Sequence, residues 1–396
     1  MHDGEPPIRR RAPATLSENL MVMEPVVHLL SDLVAIPSMN PMGRSRSGKE
    51  YSEQTIAEYV QHYLKKNSID VQLQDIEPGR PNVVGVLDVG ASKTILLEAH
   101  LDTVHADNMV VEPFTPTIRD GMLYGRGACD TKSSVASIIQ ATINTLGRGR
   151  LGANLILLFP ADEEYRFGGA QYAARQGLKA DFGIIGEPTS LSIIRAHKGV
   201  TRWRIYTKGE LAHSAYPERG KNAIYLMAEV IQKLEQFARE LAERSPHPLL
   251  GSPRMSVGVI EGGQAVNIVP DRCWIEIDRR TLPGESENAI LQETKTILRN
   301  CSDWEFEPPY LSVGGMELSE EEPAVQKLSQ CVRECVGASS IEVAPYGTDA
   351  GVYAAIGIPC VVFGPGNIAQ AHTDSEYVEL SQIEQAVQII ERFISS

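Results

Sequence analysis

The chain has 396 residues and a formal net charge of −14, from 37 Lys and Arg against 51 Asp and Glu. That length exceeds what one hydrophobic core usually serves and predicts two domains, while ordinary apolar, Gly and Pro contents exclude fibrous and disordered classes. The acidic balance argues against a nucleic-acid surface, which needs clustered Lys and Arg, and the sequence has no uninterrupted apolar run long enough to span a membrane.

Residues 1–18 read as a flexible, polar, Pro-rich tail. The basic run Arg9–Arg11 is not followed by the apolar stretch that a secretory leader requires. Helical apolar spacing covers 20–36 and Ser52–Lys65. Short β-branched runs follow at Asn82–Leu87, Thr94–Ala99, Asn154–Phe159 and Phe182–Gly186, alternating with helical stretches at Lys132–Leu146 and Gly169–Gln176. Apolar strands separated by helices predict an α/β domain around a central, mostly parallel sheet.

From about residue 200 the period changes. Thr201–Lys208 alternates polar and apolar, a long amphipathic helix covers Asn222–Glu243, two alternating strands follow at Arg254–Glu261 and Arg272–Arg279, and a helix covers Ser286–Arg299. This is the signature of a compact α+β unit. Beyond Pro308 the α/β pattern returns, with helices at Ala324–Val336 and Leu380–Ile394 and a buried strand at Cys360–Phe363. The expected organisation is an α/β domain made of 1–199 and 304–396, interrupted by an inserted α+β domain at 200–303. Cysteines at 129, 273, 301, 331, 335 and 360 form no CxxC pair. They are expected as reduced thiols in a reducing compartment, the cytoplasm.

Five clusters carry acids or histidine, four of them directly after apolar strands, where α/β folds place their sites. In LLEAHLDTV, His100 can offer a ring nitrogen to a metal while Asp102 holds the other ring N–H. Asp130 ends a Gly-rich loop and opens a helix; it can cap that helix or bridge two ions through its two oxygens. Glu163 and Glu164 follow the strand Asn154–Phe159, and adjacent side chains diverge, so that one can ligate a metal while the other activates a water. Glu187 stands between a buried strand and a Pro, which excludes a helix-face role. His372 lies on a loop of small residues. Gly364, Gly366 and Ala369 of that loop fit G-x-G-x-x-A after a strand, but too little chain remains for a dinucleotide-binding unit; the loop suits a backbone pocket for a substrate carboxylate better. Each cluster alone has an ordinary structural explanation. Together, Asp130 bridging, His100 and Glu187 on one ion, and Glu164 and His372 on the other give three protein ligands per ion and leave room for a shared water.

The segments HLDTV, GRGACDTK, DEE, GEPT, GTDA and GPGNIAQAH run in one order from residue 100 to 376. The sequence thereby resembles the dinuclear zinc amidohydrolase family that includes acetylornithine deacetylase, succinyl-diaminopimelate desuccinylase and carboxypeptidase G. The resemblance implies ligand roles for His100, Asp130, Glu164, Glu187 and His372, an orienting role for Asp102 and a general base in Glu163. It implies two divalent ions, zinc or else cobalt. It makes the inserted domain a lid and dimerisation unit of a homodimer. The segment GELAHSAYP resembles the one whose histidine, here His213, reaches the reacting carbonyl from a neighbouring subunit. Asn267 and one of Arg279 or Arg280 resemble lid residues that hold substrate, and register from Asn267 favours Arg280. GPGNIAQAH is most similar to the acetylornithine deacetylase branch, which makes an N-acyl amino acid the expected substrate, with a desuccinylase- or carboxypeptidase-like reaction on a succinylated compound or short peptide as the alternative. A non-catalytic metal- or peptide-binding relative would have lost Glu163 or a ligand, and none is lost. No HExxH, GxSxG or Walker A run is present.

Overall fold

The computed structural model describes residues 24–395; the expected tail at 1–18 lies outside them. The first elements are α1 (Pro25–Val34), α2 (Gln54–Lys66), β1 (Val71–Glu77), β2 (Arg80–Leu87), β3 (Thr94–Glu98), the short β4 (Thr117–Arg119) and β5 (Met122–Tyr124), and α3 (Lys132–Gly147). There follow β6 (Asn154–Phe159), α4 (Glu163–Arg166), α5 (Gly168–Arg175), β7 (Phe182–Ile185), β8 (Ile193–His197) and β9 (Gly199–Lys208). The central segment holds β10 (Ala212–His213), α6 (Ala223–Glu243), β11 (Arg254–Gly262), β12 (Ile268–Val269), β13 (Arg272–Thr281), α7 (Glu287–Ile297), β14 (Trp304–Phe306) and β15 (Leu311–Val313). The chain closes with β16 (Met316–Glu317), α8 (Pro323–Val336), β17 (Ile341–Ala344), α9 (Ala350–Ala355), β18 (Cys360–Val362), β19 (Tyr377–Glu379) and α10 (Leu380–Ile394).

The large sheet has the order β1-β2-β6-β3-β7-β18-β8-β16, with β17 also on β8. Its middle, β6-β3-β7-β18, is parallel, whereas β1, β2 and β16 pair antiparallel. Both faces are covered, which explains why the middle strands read as unbroken apolar runs. Leu97, Leu155, Leu157, Phe182 and Ile184 pack under α1, α2, α3, α8 and α10. Leu96, Ile156, Leu158 and Ile185 pack against Phe167 and Ala170 of the α5 region and Tyr353 of α9.

A separate five-stranded sheet, β11-β13-β9-β14 with β15 also on β9, is fully antiparallel. One face buries Trp203, Ile205, Ile275 and Ile277 against Met227, Val230 and Leu234 of α6 and Ile290 of α7. Helix α6 starts on Asn222, whose side-chain oxygen accepts from the N–H groups of Ile224 and Tyr225. The other face is polar, with Arg202 directly opposite Asp278 and Arg204 opposite Glu276. Because side chains alternate along a strand, Arg279 and Arg280 point to opposite faces. Arg279 is buried on the helical side between Glu285 and Glu293, at 2.6 Å from each, and Arg280 falls on the polar face.

Candidate metal centre and substrate cleft

The carboxyl ends of β3, β6 and β7 and the loop after β18 converge, as expected of ligands in an open α/β sheet. His100 and Asp102 follow β3, Asp162 to Glu164 follow β6, and Glu187 follows β7. Asp130 stands just before α3, and His372 lies on the long loop after β18. His100 Nε2 lies 3.2 Å from Asp130 Oδ1, 3.8 Å from Glu187 Oε1 and 4.0 Å from Glu163 Oε2. His372 Nε2 lies 3.2 Å from Asp130 Oδ2 and 3.1 Å from Glu164 Oε2. Asp130 therefore presents one oxygen to each histidine. Ligand atoms of His100, Asp130 and Glu164, and of His100, Glu163 and Glu187, lie within 4.8 Å of one another.

This cage is a concentration of negative charge in a dry place. Burial drives the carboxyls of Glu163 and Glu187 well above the usual range. Burial would raise Asp130 too, but hydrogen bonds from His100 and His372 hold it below the carboxylate range. Hydrogen bonds to Asp130 and Glu164 lift His372 to about 11. Glu164 Oε1 is buried without a hydrogen-bond partner among the described residues. Four acids and two imidazoles facing one small volume, with an oxygen left over, form the donor set of a site for divalent cations, whose charge offsets the desolvation of buried carboxylates.

The supports of the cage are more extensive than sequence spacing suggested. The His100 ring is held through Nδ1 by the main-chain carbonyl of Asp102, at 2.9 Å, rather than by the Asp102 carboxylate, 3.6 Å away. That carboxylate instead accepts from the N–H groups of Glu163 and Glu164, at 3.0 and 3.1 Å, and from Asn40 Nδ2 at 2.7 Å, so it fixes the acidic turn. Asn40 also donates to Asp162, which is tied to Arg80 and, through Arg80, to the buried Glu53. Asp162 itself adopts a left-handed conformation, φ +64°, a strained backbone that this network over-determines. Glu376, fully buried, accepts from the N–H groups of Gly127, Cys129 and Asp130 and pairs with Arg126 at 2.7 Å. Behind His100, Glu98 and Asp349 are both buried and face each other, and burial raises Asp349 to about 7. Asn40, Arg80, Glu53 and the role of Glu376 escaped the sequence reading, because their partners lie up to 250 positions away.

The cage opens into a cleft lined by Tyr165, Phe167, Val200, Arg202, Arg280, Tyr346 and Ile368 as well as by its own acids. Arg280 is thus brought to the site, and Arg202 joins it. His213 is exposed on β10, which pairs with β12, and neither it nor the exposed Asn267 lines the cleft within one chain. The expected carboxylate pocket at Gly364 and Gly366 is not formed. The Gly364 N–H donates to Thr189 Oγ1 at 3.1 Å and the Gly366 N–H to Gln382 Oε1 at 2.9 Å, so both donors are engaged internally. These glycines serve packing instead: a Cβ on Gly364 would meet the Glu187 carbonyl at 2.6 Å, and Gly366 has φ +86°.

A cage of acids and imidazoles at the strand ends of an α/β sheet, open to a cleft under a second sheet, defines the class as a metal-dependent hydrolase. The sequence profile of peptidase family M20/M25/M40 matches residues 96–396, and the chain belongs to that family. It is 33% identical over 385 residues to an acetylornithine deacetylase of Photorhabdus laumondii subsp. laumondii, covering 94% of this chain and 97% of that one. A second acetylornithine deacetylase, from Proteus mirabilis, is 32% identical over 383 residues, covering 93% and 96%. Among solved structures, an M20 family metallo-carboxypeptidase from Sulfolobus solfataricus superposes with a TM-score of 0.78 at 20% identity, covering 94% of this chain and 99% of that one. A dinuclear metal-binding M20 peptidase of Bacillus subtilis gives 0.65 at 18% identity, covering 93% and 96%.

Proposed function

We propose that the protein hydrolyses the amide bond of an N-acyl amino acid, a deacylation of the kind named for the acetylornithine deacetylases it is similar to. The observation that carries this reading is the convergence of His100, Asp130, Glu163, Glu164, Glu187 and His372 at one end of the cleft. His100, Asp130 and Glu187 would hold one divalent cation and Asp130, Glu164 and His372 a second, zinc first and cobalt as the alternative. Such ions supply polarisation of the amide carbonyl and acidification of a water.

The chain's own residues do the rest. Glu163 takes the proton of the attacking water and passes it to the leaving amine. Asp102 keeps Glu163 in place by accepting its main-chain N–H. Arg280 binds the substrate carboxylate from the opposite wall. His213, exposed on β10, is available to the cleft of a second copy, where it would donate to the developing oxyanion. We infer a homodimer for that reason, with the unit expected at 200–303, whose sheet in the structure continues through β14 and β15 to Val313, forming the lid and the dimer contact. Six free cysteines fit a reducing, cytoplasmic setting; among the described residues no helix is long and apolar enough to cross a membrane.

A panel of N-acyl amino acids and dipeptides tests the reading. Turnover of N-acyl amino acids should vanish after chelation and return with added zinc or cobalt. Cleavage confined to dipeptides would move the activity to the dipeptidase class, and no metal-dependent turnover on either would remove the proposal.

A further inference from the structure

The wall facing the metal cage has a charge pattern of its own. Arg202 and Arg280 lie on the polar face of the lid sheet and share one acid. Arg202 Nε donates to Asp278 Oδ2 at 2.8 Å, and Arg280 Nε donates to Asp278 Oδ1 at 2.8 Å. Arg280 Nη2 also reaches Oδ2 at 3.4 Å. Both Asp278 oxygens are therefore occupied. The two guanidiniums keep one net positive charge, and the Nη groups of Arg202 have no protein partner among the described residues. Next along the face, Arg204 and Glu276 neutralise each other at 2.6 Å. The side chains of Arg202, Asp278 and Arg280 are 28%, 27% and 32% exposed, so the trio is open to a ligand.

Every acid that lines the cleft, namely Asp130, Glu163, Glu164 and Glu187, belongs to the metal cage. Among the described residues of one chain, none outside it lines the cleft to receive a cationic substrate side chain. An ammonium there would meet two guanidiniums and an aspartate whose oxygens are already in use. Arg280 suffices for the one carboxylate that all N-acyl amino acids share. Arg202, with its Nη edge free, is a second anion donor that such a substrate does not use.

We propose that Arg202 is a specificity-determining residue that binds a second carboxylate, so that the preferred substrate is a dianionic N-acyl amino acid rather than one with a basic side chain. The inference rests on the reading of the chain as an N-acyl amino acid hydrolase. The second carboxylate has two chemical sources, an acidic side chain or a dicarboxylic acyl group, and both present the same charge to Arg202. A charge-assisted hydrogen bond to a guanidinium contributes enough for about a ten- to hundredfold preference over a neutral isostere.

The experiment measures kcat and KM for isosteric pairs on the metal-loaded enzyme. N-acetyl-L-glutamate against N-acetyl-L-glutamine reports a side-chain carboxylate, and N-succinyl-L-alanine against N-succinamoyl-L-alanine an acyl one. N-acetyl-L-ornithine is the cationic control. At least one pair should favour the dianion by about tenfold or more, chiefly through KM, with ornithine below both. In Arg202→Met that ratio should fall toward one, and in Arg202→Lys it should partly return. Binding of glutarate, followed by calorimetry on the loaded protein, should weaken in parallel, which separates the effect from any change in turnover. A preference for N-acetyl-L-ornithine, or a dianion preference that Arg202→Met leaves intact, overturns the assignment of Arg202 while the hydrolase reading stands. Absence of turnover on all five compounds, with glutarate still bound more weakly by Arg202→Met, would instead retain the anion site and remove the hydrolase reading.

Discussion

Glu163 and Glu164 are neighbours in the chain with side chains only 11% and 6% exposed, yet they are set apart by what their oxygens meet. Glu164 Oε2 is 3.1 Å from His372 Nε2, while Glu163 Oε2 lies 4.0 Å from His100 Nε2. A ligating carboxylate can be replaced by its amide at a cost mainly in metal affinity, whereas a base cannot, because Gln accepts no proton. Glu163→Gln is therefore expected to keep both metals and the fold and to lose activity by roughly 100- to 10,000-fold. Glu164→Gln should lose metal from one site. Metal content and turnover of the two variants decide between the roles. Metal loss in the first with metal kept in the second would exchange them, a result that the proximity of Glu163 to His100 and Glu187 makes worth checking. The type and strand-end position of these residues were legible in the sequence. The inference that Asp102 held the His100 ring through its carboxylate was not right, because a side chain two positions along can reach either the ring or the next turn, and only packing decides which.

At the level of elements, continuous apolar runs identified the middle strands because those strands are buried on both faces. Strands of two or three residues, such as β4, β5 and β16, carry no period and were not legible. Nor was the link between β19 and the metal-binding loop. Glu376, just before β19, accepts three main-chain N–H groups from the segment that ends in Asp130, and pairs with Arg126. It thus organises a loop whose own sequence, rich in Gly, cannot hold a shape. Glu376→Gln replaces one acceptor oxygen by a donor and removes the carboxylate that offsets the buried charge of Arg126, which keeps only the Thr373 carbonyl. Breaking a buried pair of this kind costs about 3–5 kcal/mol, and loss of a group that orients a ligand costs about 10- to 100-fold in metal affinity. Urea unfolding and metal titration of the variant should show both effects. Unchanged metal affinity would mean that Asp130 keeps its place without Glu376.

At the scale of the whole molecule, one chain does not bring every sequence-predicted site residue to the cleft. His213 and Asn267 remain outside it, on the separate β10–β12 ribbon and the turn that leads into it, next to a lid sheet that carries apolar surface. Strand β11 is the edge of that sheet, with Val259 42% and Ile260 57% exposed, and Val266 and Tyr225 stand exposed nearby. An open edge of this kind is a template for pairing with another chain. The proposed homodimer would cover it and carry His213 to a partner's cleft. Light scattering should give twice the chain mass, and Ile260→Lys, which puts a charge on the edge, should shift it toward monomer with the fold retained. Subunit exchange tests the catalytic consequence directly. Glu163→Gln and His213→Ala should each be nearly inactive alone. In a mixed dimer, the site that keeps Glu163 would receive an intact His213 from the other chain, so one site of two recovers. With random exchange, roughly a quarter of the wild-type activity should return, as expected for an isologous interface that completes two equivalent sites. No recovery in a mixture shown to exchange subunits would place His213 in service of its own chain or of none, and a monomer in solution would remove the shared site altogether.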